Sequence, residues 1–209
     1  MLCLKVPTDD SWAAAAMRDV DATLVDHAHC ELKAASNALS LVARHPGDAD
    51  LARALADVAR EEIEHFQRVV AVLAVRGVAM GPPPVDAYAA ALRRAAGALS
   101  RGPAVTARVD RLLVAAIIEA RSCERFQLLA ETAAGTVGDG DAALHALWRE
   151  LLASEARHYR TFVDLAVRAA GGDRACVTQR LEQLAEAEGA IVTALARGGD
   201  GSSRATIHG

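Results

Sequence analysis

Apolar residues recur every three to four positions through most of this chain, the spacing of one buried face on an α-helix. From Asp10 and Ser11, good N-cap types, the stripe runs through Ala28, Leu32, Ala35, Leu39 and Val42 and predicts one long helix. His45-Pro46-Gly47-Asp48 ends it, because proline disfavours helix in the residue before it and glycine tolerates the turn. Leu51, Leu55, Val58, Phe66, Val69 and Leu73 form the next stripe, predicting a helix over 49–75 with Gly77 as its cap. A stiff Gly81-Pro82-Pro83-Pro84 connector and a short helix over 86–99 follow, closed by Gly102-Pro103. Further stripes predict helices over 105–133, 142–169 and 174–196, and residues 198–209 form a Gly/Ser-rich tail expected to be flexible.

Two long helical hairpins joined by one long crossover make an all-α, ferritin-like four-helix bundle with an extra C-terminal helix. The expected organisation is a single domain over 1–197 followed by the tail. Composition agrees: hydrophobic residues make up 52% and aromatics only 3%, the balance of an Ala/Leu-packed helical core rather than a sheet. No apolar run reaches the length of a membrane span and the start lacks a signal-peptide profile, so the expectation is a cytoplasmic protein with no membrane partner. Cys3, Cys30, Cys123 and Cys176 contain no C-x-x-C pair and are expected to be reduced thiols. A net charge of −4 means that nucleic-acid binding would need a local basic patch.

The chemistry lies in an internal repeat. Shifted by 93 positions, Cys30-Glu31 falls on Cys123-Glu124, Gly47-Asp48 on Gly140-Asp141, and Glu62, His65 and Phe66 on Glu155, His158 and Tyr159. The separation from Glu31 to Glu62 equals that from Glu124 to Glu155 (62 − 31 = 155 − 124), and the midpoints, Pro46/Gly47 and Asp139/Gly140, are the expected turns. Each Glu then faces its Glu-x-x-His partner at one height, and the i, i+3 spacing keeps Glu and His on one face. Chance alone yields about 0.4 Glu-x-x-His matches from 12 Glu and 7 His in 209 residues (12 × 7/209), so one match means little. Two matches, each preceded by a Glu at equal spacing, predict a metal site of Glu31, Glu62, His65, Glu124, Glu155 and His158. Four carboxylates and two imidazoles suit two iron or manganese ions and lack the thiolates of structural zinc. Without metal, such a buried carboxylate cluster would be strongly self-repulsive. Glu119, one turn and a half before Glu124, is the alternative third-helix ligand; otherwise it pairs with Arg121, Arg125 or a neighbouring helix.

These segments resemble one family. Residues 116–126 (AIIEARSCERF) are similar to the third-helix signature of the MiaE family, hydroxylases of 2-methylthio-N6-isopentenyladenosine in tRNA. Residues 26–35 (DHAHCELKAA) resemble its first-helix segment, and 59–66 (AREEIEHF) and 154–159 (SEARHY) its two iron-binding stretches. The resemblance runs from about Pro7 to Ala169. It implies an O2-dependent non-haem di-iron monooxygenase that hydroxylates the isopentenyl group of the modified adenosine 3′ of the anticodon. Iron (Fe2+/Fe3+) is then the cofactor, O2 the co-substrate and tRNA the substrate. No G-x-G-x-x-G fingerprint supplies a flavin or nicotinamide, so electrons are expected from an external ferredoxin/reductase-type donor. The expected assembly is a monomer or small homo-oligomer. A ferritin-type ferroxidase/iron-storage protein or a manganese catalase-like enzyme shares the ligand set and is the alternative.

Around the site, His27 and His29 lie within a turn of Glu31, either supporting the ligands or facing substrate, or else exposed on the helix. Phe66 and Tyr159 read as core packing. Arg121, Arg125 and Arg157 either pair with carboxylates behind the ligands or lie on a solvated face. Arg93, Arg94, Arg101, Arg108 and Arg111 in the crossover form a basic segment that is either ordinary solvated surface or, as the best candidate in the chain, a footprint for tRNA.

Overall fold

The computed structural model describes residues 2–83, 85–134, 139–198 and 207, and the regular structure among them is entirely helical. In chain order the helices are α1 (Asp10–Arg18), α2 (Val20–Arg44), α3 (Ala49–Val75), α4 (Ala87–Ala98), α5 (Ala107–Ala134), α6 (Asp139–Ala169) and α7 (Arg174–Gly198). None of the described helices is long and apolar enough to cross a membrane.

The first predicted helix is in fact two. Asp19 leaves helical geometry (φ −129°, ψ 67°), and its carboxylate accepts the Ala22 N–H at 3.1 Å, so it caps a new helix. Thr23 Oγ1, donating to Ala16 O at 3.0 Å, stitches the break. Such a break leaves little trace in periodicity, because Ala13, Ala16 and Leu24 remain buried on both sides of it.

Two compact units make up the chain, one centred on α2 and α3, the other on α4 to α7 with the N-terminal segment. In the first unit Asp48 caps α3 by accepting the Leu51 N–H at 3.0 Å, and Leu24, Ala28, Ala35, Ala38 and Leu41 of α2 share its core with Leu51, Leu55, Val58, Val69 and Leu73 of α3. Gly77, at φ +70°, turns the chain so that the Val78 N–H reaches Leu73 O at 2.9 Å, closing α3. Ile207 is buried, its N–H donating to Asp26 Oδ2 at 2.6 Å; apart from it and Gly198, the tail expected to be flexible lies outside the described residues.

The second unit is built around α5. Residues 112–126 are buried apart from Ile118, as expected of a helix apolar on every face. That run also carries Glu119, Arg121, Glu124 and Arg125, which must therefore find partners inside the protein. Phe126 stacks on Trp148 of α6 at 5.7 Å between ring centroids. Arg180 of α7 pins the crossover, giving Nε to Asp110 Oδ1 (2.8 Å), Nη2 to Ala96 O (3.0 Å) and Nη1 to Ser100 O (3.1 Å).

Candidate metal centre

In the α2–α3 hairpin, Glu31 precedes the end of α2 by as many positions as Glu62 follows the start of α3 (44 − 31 = 62 − 49). Equal legs bring the two carboxylates to one height, and His65 joins them from the next turn of α3. Glu31, Glu62 and His65 are all buried and offer ligand atoms within 4.8 Å of one another. His65 Nδ1 is 3.4 Å from Glu62 Oε2 and 3.7 Å from Glu31 Oε1. His27, also buried, brings Nε2 to 2.9 Å from Glu31 Oε1. That is a hydrogen-bond distance, although the ring N–H is not aimed along it.

These groups hold one another in their charged forms. Burial favours a neutral Glu31, but His27, Glu62 and His65 outweigh it and hold the carboxyl down at about 2. Burial equally disfavours a charged His65, yet Glu31 and Glu62 raise it to about 10. A proton on His65 thus supplies the positive charge that a metal would bring. It must leave before that nitrogen can ligate.

In the α5–α6 hairpin the structure gathers Glu119, Glu155 and His158, all buried and again within 4.8 Å of one another. The expected Glu124 is not among them; Glu119, the alternative, is. Glu119 precedes the end of α5 by one position fewer than Glu155 follows the start of α6 (134 − 119 against 155 − 139), so the two are level. Glu124 stands on a much shorter leg (134 − 124), which sets it about 9 Å off the height of Glu155. Five further positions along the helix also rotate it roughly 140° around the axis. The predicted turn at Asp139/Gly140 was too late, since α6 already begins at Asp139. The midpoint of Glu119 and Glu155 is position 137, between Gly135 and Gly138; those glycines were the signal that could have corrected the choice. The offset of 93 holds for the two Glu-x-x-His helices, whereas Glu31 and Glu119 are related by 119 − 31 = 88.

Glu124 instead accepts from Thr8 N (3.1 Å) and Thr8 Oγ1 (2.7 Å) and pairs with Arg121. Arg121, fully buried, also forks onto Glu188 of α7 (Nε–Oε1 2.9 Å, Nη2–Oε2 2.8 Å) and donates to Val6 O at 2.9 Å. Tyr88 of α4 donates to Glu188 Oε1 at 2.9 Å. The conspicuous polar residues of the third-helix signature are therefore struts joining the N-terminal segment, α4, α5 and α7. Arg125 is buried with its guanidinium 5.0 Å over the Trp12 ring, and burial together with Arg121 brings it down to about 10. Arg157 is exposed and bonds its own helix at Ala153 O and Ser154 Oγ. His29 is buried rather than exposed.

The donor chemistry fits a hard cation. Each triad has two carboxylates and one imidazole, and Glu31 Oε1 is buried without an aligned hydrogen-bond donor. Among the described residues neither cluster contains a cysteine, and burial, then Glu155, push the Cys123 thiol up to about 12. All four cysteines are free, as expected.

Of the crossover arginines, Arg93 and Arg94 are exposed. Arg101 gives its Nε to buried Asp110 at 2.6 Å, so it braces the Arg180 pin. Arg108 and Arg111 are half-buried, each with an interaction partner.

The sequence matches the family described as tRNA-(MS[2]IO[6]A)-hydroxylase (MiaE) over residues 1–199. The chain belongs to the MiaE family. A Pseudomonas putida member named tRNA 2-(methylsulfanyl)-N(6)-isopentenyladenosine(37) hydroxylase is 40% identical over 185 residues, 88% of this chain and 84% of the relative. A Salmonella typhimurium relative of the same name is 26% identical, covering 90% of this chain and 83% of its own. Beyond these MiaE relatives, a solved Synechococcus protein, titled as having aldehyde deformylating oxygenase activity, has a TM-score of 0.81 and 36% identity across 100% of this chain and 96% of its own. The MiaE chain thus has the expected ferritin-like helical fold, and the family is one of enzymes.

Proposed function

We propose that this chain is an O2-dependent, non-haem di-iron monooxygenase that hydroxylates the isopentenyl group of 2-methylthio-N6-isopentenyladenosine in tRNA, 3′ of the anticodon. The observation that carries the reading is the pair of buried Glu, Glu-x-x-His triads in a member of a tRNA-hydroxylase family. In this reading the two units work as one domain, and Glu31, Glu62, His65, Glu119, Glu155 and His158 together hold two iron ions, Glu119 taking the place expected of Glu124.

When bound, the iron pair supplies the reductive activation of O2 and the insertion of one oxygen atom into a C–H bond. The protein's own part is to hold that chemistry apart from water. Leu24, Ala28, Val58 and Val69 are buried apolar residues within two helical turns of the α2–α3 ligands, as are Ala116, Ala120 and Phe162 along α5 and α6. Electrons come from an external ferredoxin/reductase-type donor, and the tRNA substrate places the work in the cytoplasm. Exposed Arg93 and Arg94 are the crossover residues most suited to a phosphate contact, because Arg101 is committed to Asp110. Against the alternatives with the same ligand set, iron storage and a manganese catalase-like activity, stands the match to a tRNA-hydroxylase family over residues 1–199.

Nucleoside mass spectrometry tests this. Full-length chain reconstituted with Fe(II), reductant and O2 should add one oxygen atom to the isopentenyl adenosine of tRNA from a strain lacking the hydroxylase. Unchanged nucleoside with a fully iron-loaded chain would refute it.

A further inference from the structure

We infer that the outer face of α6 is the docking surface for the electron donor. Its arginine stripe, Arg149, Arg157, Arg160 and Arg168, receives an acidic one-electron carrier of the plant-type [2Fe–2S] ferredoxin class behind His158. This rests on the reading of the chain as a monooxygenase fed by an external donor, with His158 as a metal ligand.

The four arginines follow one another at steps of eight, three and eight positions (157 − 149, 160 − 157, 168 − 160). On an α-helix those steps keep them within a sector of roughly 100°. All four are exposed, and over 168 − 149 positions the stripe is about 28 Å long. Between its ends the carboxylates in the same sector are Glu150 and Asp164, both exposed. Asp164 is engaged by Arg174 of α7 at 3.2 Å. With Arg174 included, five guanidinium groups stand against two carboxylates, so this face is positive in a chain whose net charge is −4.

Two features select an electron carrier over RNA as the occupant. Glu155 and His158 are buried and lie roughly 160° around α6 from the centre of the stripe. The stripe therefore backs onto these ligands across a single helix, about 10–12 Å thick. An electron crosses that distance through bonded protein, whereas a substrate carbon cannot. The second feature is the pair of carboxylates set among the arginines. A phosphate backbone is anionic along its whole length and is repelled by Glu150. A protein surface that is acidic overall but mixed in sign can place a cation there. Each docking oxidises one reduced [2Fe–2S] cluster and delivers one electron. Two dockings supply two electrons, which with two protons take one oxygen atom of O2 to water while the other enters the C–H bond.

Binding of the full-length chain to two probes, oxidised plant-type ferredoxin and tRNA, tests this. Both are titrated at low and at high salt, because the screening length falls from about 10 Å at 0.1 M to about 3 Å at 1 M. One variant carries Arg149→Glu with Arg160→Glu, its folding checked by melting temperature. A second, Arg93→Glu with Arg94→Glu, makes an equal charge change on the crossover. The α6 variant should bind ferredoxin about 10–100-fold more weakly at low salt, with the difference closing at high salt and tRNA affinity kept within a few-fold. The crossover variant should keep its ferredoxin affinity within a few-fold. If charge reversal disturbs folding, glutamine at the same two α6 positions decides, with a smaller loss in the same direction. A ferredoxin affinity that is unchanged in the α6 variant, or reduced as much by the crossover variant, overturns the inference. So does a loss of tRNA affinity as large as the loss for ferredoxin, which would make the stripe an RNA footprint, and so does a wild type that binds no ferredoxin at low salt. Dithionite-driven turnover of the iron-loaded wild type reads the underlying activity separately. Product there without ferredoxin binding overturns the docking surface alone, and unchanged nucleoside there overturns the monooxygenase itself.

Discussion

Glu119 and Glu124 stand five residues apart on one helix, and replacing each by alanine should give opposite phenotypes. Glu124→Ala removes the acceptor of Thr8 N (3.1 Å) and Thr8 Oγ1 (2.7 Å) and one of the two carboxylates on Arg121. Arg121 keeps its fork onto Glu188 through Nε and Nη2, so no buried charge is left uncompensated. The Thr8 hydroxyl still accepts from Arg121 Nη1 at 3.1 Å, and the Thr8 amide is the group left without its acceptor. A buried donor without a partner costs about 1–3 kcal/mol, and a charge-assisted bond adds to it. The expected loss is about 2–4 kcal/mol, or about 1–2 M in urea midpoint for an m-value near 2 kcal/mol/M. Iron stoichiometry should stay at the wild-type value. Glu119→Ala should do the reverse. Iron content falls, while the metal-free chain holds its urea midpoint or gains slightly, because one of several crowded carboxylates is gone. Urea titration followed by circular dichroism and chelator-based iron determination read the two arms separately. A Glu124→Ala chain that loses iron at a wild-type midpoint, or a Glu119→Ala chain that keeps all its iron, would refute the assignment.

Three further outcomes are expected. Arg121→Met leaves Glu188 and Glu124 buried without their cation and should cost about 3–5 kcal/mol, while adding Glu188→Gln should recover part of it; a single variant losing under about 1 kcal/mol would contradict the strut. In the metal-free chain His65 is raised to about 10, so its contribution is complete below about 6.5 and disappears as pH climbs through about 10. Glu31, held at about 2, contributes above about 4.5 and stops contributing as pH falls through about 2. Urea midpoints of wild type minus His65→Leu should therefore shrink between pH 6.5 and 10, and a constant difference would contradict the coupling. Finally, a Cβ at Gly189 would stand 2.7 Å from Val6 Cγ2, so Gly189→Ala should cost about 1–3 kcal/mol through overpacking, and a variant that melts at the wild-type temperature would show that Val6 moves aside freely.

Helices, turns and five of the six proposed ligands were legible in the chain because the signals behind them are local. Apolar spacing, Asp48 as a cap, Gly77 at a helix end and the i, i+3 pairs Glu62/His65 and Glu155/His158 are set within a turn or two of backbone. The break at Asp19 is local as well, a cap on the Ala22 N–H, but the apolar stripe runs across it and hides it. The choice of Glu119 over Glu124 and the partners of Arg121 and Arg180 depend on longer distances. Which glutamate on α5 faces His158 depends on where α6 begins and on how far the helix has rotated by then, and an error of a few residues in the turn exchanges one carboxylate for another. Whether an arginine faces solvent or a buried acid depends on α7: Glu188 and Arg180 lie 67 and 70 residues from the groups they engage on α5. By itself the sequence determined which chemistry the protein carries. Only the tertiary structure decided which of two identical carboxylates joins Glu155 and His158 and which serves as a strut, because packing, not residue type, distinguishes the two.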